Sequence, residues 1–384
     1  MGRNVYITGV GFHPFGKHPD RTLKLLAATA ALAALDDAGL DPRAVDAGFC
    51  GNAYGGLLTG QESIRGQTWL RSIGLGSIPM LNIENACASG GSAAHLAFMG
   101  VASGSYDHVL VIGAEKMFVG DTARTIRALA SSADLEMTGD IGLQFAAVDA
   151  IRVAKVMEEE GLDASDLEDV TVKSHDNGAL NPIAHYQKRM SAAEVRASRM
   201  IAEPLRLMMC SAISDGAAAV VLSATPGPGR VRVRASALAS SPVRGRVGDR
   251  TTAELAVARA YADAGIGPQD VDFAEVHDAV SPAEFLYYRE LGFCAPGDVK
   301  AFARAGRARL GGDKPVNPSG GLNSRGHPVA ATGIAQLAEA TLQLRGTAGA
   351  RQVEGARIGL THNAGGWIDR DPAICAIHIL EREA

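Results

Sequence analysis

Hydrophobic and polar residues follow one another along this chain in a pattern that predicts alternating strands and helices. Near the start, VYITGVG predicts a strand, and HVLVIGAE at 108–115 has no polar alternation and predicts a strand buried on both faces, as in a parallel sheet. An alanine-rich amphipathic segment between them stops at Gly39, a residue typical of helix ends. VRVRASALA and AICAIHIL predict further strands in the second half. Strands alternating with helices indicate the α/β class.

The two halves of the chain contain similar segments. Residues 35–53 read LDDAGLDPRAVDAGFCGNA and residues 261–279 read YADAGIGPQDVDFAEVHDA, and seven positions are identical without gaps. Each segment predicts the end of a helix at a glycine, a turn that contains proline, and a short strand. An internal duplication of one α/β unit explains the similarity.

The duplication predicts three parts. We expect an N-terminal half made of residues 1–115 together with 211–224, and a C-terminal half over 229–384. Residues 116–210, which are richer in charge and methionine, are expected to form an inserted loop segment that covers one face. The sequence TPGPG at 225–229 predicts the linker between the halves.

Composition narrows the function class. The 384 residues carry 37 Lys and Arg against 42 Asp and Glu, a net charge of -5. This mild acidity gives no reason to expect nucleic acid or a membrane surface as a partner. The five cysteines are scattered without C-x-x-C spacing, which indicates neither a disulfide framework nor a zinc finger. No stretch approaches 18 to 20 apolar residues, and the N-terminus leads directly into a strand, so a cytoplasmic location is expected.

Cys87 is the candidate nucleophile. It stands in NACASGG, where a small-residue helix is predicted to begin. A thiol at a helix N-terminus faces unpaired backbone N–H groups and the positive end of the helix dipole, which favours the thiolate. The small neighbours leave room for a substrate. The alternative is a structural cysteine in the core.

His327 occupies the corresponding place in the second half. It stands in a glycine-rich loop before another small-residue helix, with Pro328 expected near the first helical position. If the halves are related by a pseudo-dyad, the two helix starts meet in the middle of the molecule. Cys87 and His327 then become a nucleophile and its base. A histidine that only caps the helix is the alternative.

Five motifs in this order resemble those of the thiolase superfamily: NACASGG, SDGAAAVVLS, HDAVSPAE, NPSGG…GHPVAATG and THNAGG. The HD-A motif is most similar to the sterol-carrier and lipid-transfer type of thiolase-like protein, an acetyl-CoA acetyltransferase-like branch. The resemblance spans essentially the whole chain. It implies a duplicated, five-layered α-β-α-β-α fold, a homodimer or higher assembly, and acyl-CoA chemistry in lipid metabolism. Coenzyme A would be substrate or product, with no bound cofactor and no metal.

The resemblance also assigns roles to residues. Cys87 matches the acylated nucleophile, and His327 matches the base, which also lines the first oxyanion hole. His277 stands where most thiolases have an asparagine and would complete that hole directly or through a water. The second hole would use the backbone N–H groups of Cys87 and Gly365. A purely structural His277 paired with Asp278 is the alternative.

The chain departs from the family pattern where a second reactive cysteine is expected. Asn363 occupies that position and cannot act as a general base. The substitute cysteine of some lipid-transfer-type relatives is also missing, because the position is Ala279, and Val280 replaces the motif's phenylalanine. Trp367 replaces the third glycine and is expected to wall the pocket.

The expected function is an acyl-CoA acyltransferase that forms an acyl-enzyme on Cys87 and makes or breaks a carbon–carbon bond of a 3-oxoacyl-CoA. In that case His277 or His327 would carry the α-proton. Two other reactions stay open: acyl transfer to an electron-rich ring carbon, and retro-aldol cleavage with a small OB-fold/zinc-ribbon partner, although retention of Cys87 argues against cleavage. A non-catalytic thiolase-like subunit is the other function class. No CoA-contacting residue is predicted.

Overall fold

The structure, a computed structural model, describes residues 2–139, 141, 143–243, 250–369 and 371–383. Within these residues the strands are β1 (Tyr6–Gly16), β2 (Ala47–Gly51), β3 (Met80–Ile83), β4 (His108–Glu115), β5 (Met200–Ala202), β6 (Leu205–Arg206), β7 (Asp215–Ser223), β8 (Val231–Ser240), β9 (Phe273–Glu275), β10 (Ile358–Gly365) and β11 (Ile374–Arg382). The helices are α1 (Leu23–Ala38), α2 (Gly55–Thr59), α3 (Arg65–Arg71), α4 (Ser89–Ala102), α5 (Thr122–Ala130), α6 (Leu135–Thr138), α7 (Phe145–Glu160), α8 (Ala164–Gly178), α9 (Ala192–Ala197), α10 (Thr252–Ala264), α11 (Glu284–Glu290), α12 (Val299–Arg304), α13 (Gly321–Arg325) and α14 (Thr332–Arg345).

The main sheet joins two groups of strands. Its order is β3-β2-β4-β7-β1-β8-β11-β10-β9, and β1 meets β8 through the single residue pair Tyr6 and Arg232. The predicted strand at 108–115 is β4, and it is buried as expected. The expectation of a parallel environment was only half right, because β4 pairs with β2 in parallel but with β7 antiparallel. The alternation is missing because both faces of β4 are covered, not because the sheet is parallel.

Helices and strands stack in five layers. Helix α1 packs on the strands β1, β7 and β4, and α10 packs on β8 and β11 at the opposite side. Helices α4 and α14 pack on each other and on strands of both groups, so they form the middle layer. The order α-β-α-β-α is the predicted thiolase-type architecture. Small residues dominate the middle layer, which allows two helices and two strand groups to approach closely.

The two similar segments fold alike. Thr22 and Thr251 cap the starts of α1 and α10 with their side chains, and each helix ends at a glycine in the left-handed conformation, Gly39 with φ of 59° and Gly265 with φ of 64°. A 3-10 turn then leads into β2 or β9. Local capping signals therefore predicted these elements correctly. The division of the chain into two halves and an insert stays a prediction.

The start of the second central helix differs from the prediction. Pro328 precedes a 3-10 turn at Val329–Ala331, and α14 begins only at Thr332. Pro328 is thus not the first residue of the long helix. Its position leaves His327 in an irregular segment before that helix, from where the imidazole can point to the centre of the molecule.

The segment 116–210 holds α5 to α9 and the small β5–β6 hairpin. Helices α7 and α8 pack against the turn that follows β9, and residues from them share an apolar core with α10 and α11. A buried ion pair between Lys173 and Glu284 ties α8 to α11. Across the described residues, no helix combines the length and the apolarity that crossing a bilayer requires.

Candidate active site

A tight turn between β3 and α4 holds Cys87. Ala86, the residue before it, adopts a left-handed conformation with φ of 49°, which is uncommon for a residue with a Cβ. The Ser89 hydroxyl donates to the Ala86 carbonyl at 2.6 Å and accepts from the Asn85 N–H at 2.9 Å. The Glu84 carboxylate accepts from the Ala86 N–H at 2.6 Å. These contacts over-determine the turn, as is common where strain serves a functional site.

Cys87, His277 and His327 meet in the centre of the molecule. The sulfur and one nitrogen of each imidazole all lie within 4.8 Å of one another, and all three residues are buried. The two imidazole rings cross edge to face, with centroids 5.0 Å apart. Nδ1 of His327 lies 2.7 Å from the Thr332 hydroxyl oxygen. The structure therefore brings together the three side chains that the sequence predicted as catalytic.

His277 lies just beyond β9 and makes its contacts with β10. Its backbone N–H donates to Nδ1 of His362 at 3.2 Å, and its Nδ1 lies 3.3 Å from the Asn363 side-chain nitrogen. Asp278 instead accepts the Leu322 N–H at 2.7 Å. The geometry thus favours the site interpretation of His277 over a structural pair with Asp278.

Burial controls the thiol. Desolvation, with a smaller contribution from the Glu115 carboxylate, raises the pKa of Cys87 to about 12, although backbone hydrogen bonds from Gly366 and from Cys87 itself act in the opposite direction. The resting group is therefore a thiol, whereas the helix-start argument predicted a thiolate. The helix dipole is the smaller effect because the apolar surroundings, among them Met117 and Val329, remove water from the sulfur.

The two histidines are neutral at physiological pH. Burial lowers the pKa of His327 to about 3, and the positive charge of Arg325 contributes in the same direction. Burial also lowers the pKa of His277 well below its ordinary value, with further contributions from His327 and His362. A neutral imidazole retains one nitrogen that accepts a proton, which a base beside a thiol requires.

The end of β10 closes the site from the other side. The Asn363 side chain lies at the position expected for a second cysteine and donates to the Cys87 carbonyl at 3.1 Å. Gly365 has no room for a side chain, because a Cβ there would lie 2.5 Å from the Ala88 nitrogen. The next residue, Gly366, and Cys87 itself supply the backbone N–H groups that lower the pKa of the thiol. The glycine pair at 365–366 predicts bare backbone at this place, and the resemblance implied Gly365, not Gly366, as the donor.

A cleft of about 650 Å³ opens beside this turn. Trp367 lines it, and the Arg152 guanidinium lies 5.3 Å from the centre of the Trp367 indole. The cleft also reaches Ala86 and Gly366, the neighbours of the nucleophile. Its other lining residues include Tyr54, Glu62, Arg65, Glu84 and Asp134. A substrate entering here would meet charged groups at the rim and backbone amides near the sulfur.

Cysteine sulfur and histidine nitrogen are also ligands of zinc in proteins, so the same three side chains have the chemistry of a zinc site. They also form a nucleophile with two imidazoles, the arrangement used in acyl transfer.

Two family models match the chain. The thiolase N-terminal domain matches residues 5–225, and the thiolase C-terminal domain-like family matches residues 244–380. Together the matches cover most of the sequence, including both halves of the central site.

Curated relatives extend over nearly the full length. The chain is 41% identical to an acetyl-CoA acetyltransferase of Methanothermobacter thermautotrophicus, over 99% of this chain and 100% of that protein. It is 38% identical to the benzoylsuccinyl-CoA thiolase subunit BbsB of Thauera aromatica, over 95% of this chain and 96% of that protein. Sterol carrier protein 2 of Gallus gallus is 34% identical, over 95% of this chain and 70% of that protein.

Solved structures agree in fold. An Ltp2-ChsH2(DUF35) aldolase superposes with a TM-score of 0.81 and 26% identity, over 99% of this chain and 98% of that one. Human mitochondrial 3-ketoacyl-CoA thiolase in complex with CoA superposes with a TM-score of 0.74 and 17% identity, over 100% of this chain and 98% of that one. The second likeness concerns the fold alone.

Proposed function

The chain belongs to the thiolase family, and from that membership we propose that it is an acyl-CoA acyltransferase that forms an acyl-enzyme on Cys87. It makes or breaks the carbon–carbon bond of a 3-oxoacyl-CoA. The observation that carries this proposal is the buried cluster of Cys87, His277 and His327, whose reactive atoms lie within 4.8 Å of one another. A thiol beside two neutral imidazoles has the parts that covalent acyl transfer requires.

In the cleavage direction, His327 takes the Cys87 proton as the sulfur attacks the 3-oxo carbon. The new sulfur–carbon bond and the alkoxide form together, and the bond between C2 and C3 then breaks. Its electron pair goes to the CoA-ester fragment as an enolate, which takes the proton back from His327. The shortened acyl group stays on Cys87. Because the thiol has a pKa of about 12, proton removal accompanies the attack instead of preceding it.

In the second half, the thiol of a free coenzyme A loses its proton to His327 and attacks the acyl-enzyme carbonyl. The bond to Cys87 breaks, and the sulfur recovers a proton from His327. Each oxygen that becomes negative needs hydrogen-bond donors. We assign His277 and His327 to the first oxyanion hole, and the backbone N–H groups of Cys87 and Gly365 to the second; removing one such donor costs about 10²- to 10³-fold in rate.

One observation favours a second candidate function. The structure that superposes with a TM-score of 0.81 is named an aldolase and is a complex with a DUF35 protein. Retro-aldol cleavage needs no acyl-enzyme, so Cys87 would be dispensable. A small OB-fold/zinc-ribbon partner is part of this alternative, in which the chain acts within a complex. A C-acyltransferase that works with such a partner would still need Cys87.

We also propose a homodimer in which β3 is the contact. It is the end strand of the described sheet, and Leu81 in it is 38% exposed. An edge strand with unpaired backbone groups is a natural surface for pairing with a second copy. Light scattering is expected to give twice the mass of one chain. A role in lipid metabolism, a cytoplasmic location and coenzyme A as substrate complete the proposal.

Mass spectrometry tests the proposed function. After incubation with acetyl-CoA, we expect an acetyl adduct on the peptide that contains Cys87, and we expect Cys87→Ala to lose both the adduct and CoA-dependent cleavage of a 3-oxoacyl-CoA. Cys294→Ala is the matched control, since that thiol is partly exposed and lies outside the site. CoA-dependent cleavage that survives Cys87→Ala would contradict the acyl-enzyme. Cleavage of a 3-hydroxyacyl-CoA without free coenzyme A, unchanged in Cys87→Ala, would favour the aldolase.

A further inference from the structure

Asn363 bridges the nucleophile and its histidine partner. Its side-chain oxygen accepts from the Gly91 N–H at 3.2 Å, and its side-chain nitrogen lies 3.1 Å from the Cys87 carbonyl oxygen. The same nitrogen lies 3.3 Å from Nδ1 of His277. One buried amide therefore contacts helix α4, the nucleophile turn and the imidazole at once.

The two backbone contacts fix which way the amide points. A backbone N–H can only donate, so the group that faces Gly91 has to be the side-chain oxygen. A carbonyl can only accept, so the group that faces Cys87 has to be the NH2. The assignment therefore follows from donor and acceptor chemistry and not from a choice between two similar atoms.

The fixed amide in turn fixes the histidine. An NH2 group presents a hydrogen to Nδ1 of His277, and Nδ1 can accept it only if this nitrogen carries no proton. A neutral imidazole then carries its proton on Nε2. The geometry points to Asn363 as a positioning residue that holds His277 as the Nε2–H tautomer, a hydrogen-bond donor in the acyl pocket.

This inference rests on the proposed function and adds a division of labour to it. With its proton held on Nε2, His277 donates to the developing oxyanion and does not accept the Cys87 proton. His327 is then the histidine that moves protons, including the α-proton that a second cysteine handles in other thiolases. Asn363 stands where other thiolases have a second cysteine that acts as a base. In place of that base, it fixes a hydrogen-bond donor, the Nε2–H group of His277.

The space around Asn363 is shaped for this amide. A Cβ on Gly91 would lie 2.8 Å from the Asn363 oxygen, and a Cβ on Gly333 would overlap that oxygen and lie 2.5 Å from the Gly91 nitrogen. The two central helices thus carry glycine where they pass the amide.

Nuclear magnetic resonance tests the tautomer directly. In protein labelled with ¹⁵N-histidine at pH 7, long-range ¹H–¹⁵N correlations distinguish a proton on Nε2 from one on Nδ1, and loss of the signal in His277→Gln assigns it. We expect Nε2–H in the wild-type protein. In Asn363→Asp, whose carboxylate only accepts, we expect Nδ1–H or the doubly protonated ring. A wild-type signal from Nδ1–H would overturn the inference without any variant of Asn363.

A double-mutant cycle tests the consequence for catalysis. Asn363→Leu keeps the branched outline of asparagine but removes both its donor and the acceptor for the Gly91 N–H. We expect a loss of kcat of about 10²- to 10³-fold with KM changed by less than about threefold. In a His277→Ala background the same substitution should change kcat by less than about threefold, because its effect passes through His277. Equal losses in both backgrounds would indicate a merely structural role.

The two proposals can fail separately. If Cys87 forms no acyl adduct while His277 shows Nε2–H, the proposed acyltransferase is wrong and the positioning role of Asn363 stands. If Cys87 is acylated while His277 shows Nδ1–H, the acyltransferase stands and the positioning role is wrong.

Discussion

Desolvation decides the chemistry of Cys87 more than its place before a helix. A helix N-terminus contributes about 0.3 to 1 kcal/mol to a nearby charge at exposed sites. One pKa unit corresponds to about 1.4 kcal/mol, and burial raises the pKa of this thiol from 9.0 to about 12. The dipole is therefore too weak to produce a resting thiolate. The enzyme instead keeps a thiol and a neutral imidazole until a substrate arrives.

This difference predicts how Cys87 reacts with a small alkylating reagent. Only the thiolate reacts, and below a pKa of about 12 its fraction rises tenfold for each pH unit. We expect the rate of modification of the Cys87 peptide by iodoacetamide to rise about tenfold per unit from pH 7 to pH 10, without a plateau. Peptide mass spectrometry separates this rate from those of the other four cysteines.

Cys87→Ser should remove the adduct from that peptide and leave the labelling of Cys294 unchanged. A rate that is already at its plateau near pH 7 would contradict the prediction, because it would show that the sulfur reacts without first losing its proton to the solvent.

At this scale the sequence predicted three side chains that the structure brings together, and it missed the amide that contacts them. Cys87, His277 and His327 each stand in a short motif, and the duplication predicted that the two halves meet. Asn363 gave no such signal, because its role depends on contacts with Gly91 and Cys87, more than 270 residues away. From the sequence alone, Asn363 indicates only that the second reactive cysteine is missing. A contact between distant backbones is not encoded in local pattern.

The helices α4 and α14 pack closely on each other, and Cys87 and His327 lie just before their first residues. Gly91 and Gly333 face each other around the Asn363 amide. Alanine normally stabilises a helix interior by about 1 kcal/mol relative to glycine. Overpacking of a filled core costs about 1 to 3 kcal/mol. Where α4 and α14 cross, the cost of overpacking should exceed the gain in helix propensity. A Cβ at Gly333 would clash with the Gly91 backbone and with the buried Asn363 amide.

We therefore expect Gly333→Ala to lower the free energy of unfolding by about 1 to 2 kcal/mol and to reduce kcat, since it displaces Asn363. Urea denaturation and steady-state kinetics measure the two effects. Gly76→Ala is the matched control, because a Cβ at Gly76 meets nothing within 4 Å, and it should change stability by less than about 0.5 kcal/mol. A Gly333→Ala protein as stable and active as the wild type would show that the helices can separate freely.

Element boundaries were predictable where local signals set them. Gly39 and Gly265 ended their helices as expected, since only the cap and the turn decide those ends. The start of α14 was not predictable from Pro328. The chain makes a 3-10 turn first, and Thr332 opens the helix where its hydroxyl meets His327. A side-chain contact between residues only five positions apart accompanies that boundary.

Over the whole molecule, the resemblance to thiolases implied the five layers, and the hydrophobic pattern did not predict the mixed strand directions. Both faces of the β4 sheet region are covered, so its strands are apolar whichever way they run. The same close packing buries both histidines and carboxylates inside the protein. Buried histidines such as His378, with a pKa of about 3, oppose folding at low pH. Glu115 and Glu290, whose pKa burial raises to about 7, oppose it as the pH rises from about 4.5 to 7.

The buried histidines and glutamates change the free energy of unfolding with opposite signs in the same pH range. The contribution of one histidine is therefore best measured as the difference between the wild type and a variant that lacks it. Burial, with a smaller contribution from His95, lowers the pKa of His378 from 6.5 to about 3. Below pH 6.5 the unfolded chain binds a proton at this position that the folded chain does not bind. The folded protein therefore loses about 1.4 kcal/mol per pH unit from this group between about pH 6.5 and 3, and nothing above pH 6.5.

His378→Asn removes this titration and keeps an acceptor for the Ser236 hydroxyl, which lies 2.9 Å from Nδ1 of His378. The free energy of unfolding of the variant minus that of the wild type should rise by about 1 kcal/mol as the pH falls from 6 to 5. It should not change as the pH falls from 8 to 7.5. Urea titrations at the four pH values measure this. Ser236→Ala breaks the same hydrogen bond but keeps the imidazole, so its difference from the wild type should stay constant with pH. A constant difference for His378→Asn as well would mean that the ring takes up its proton inside the folded protein.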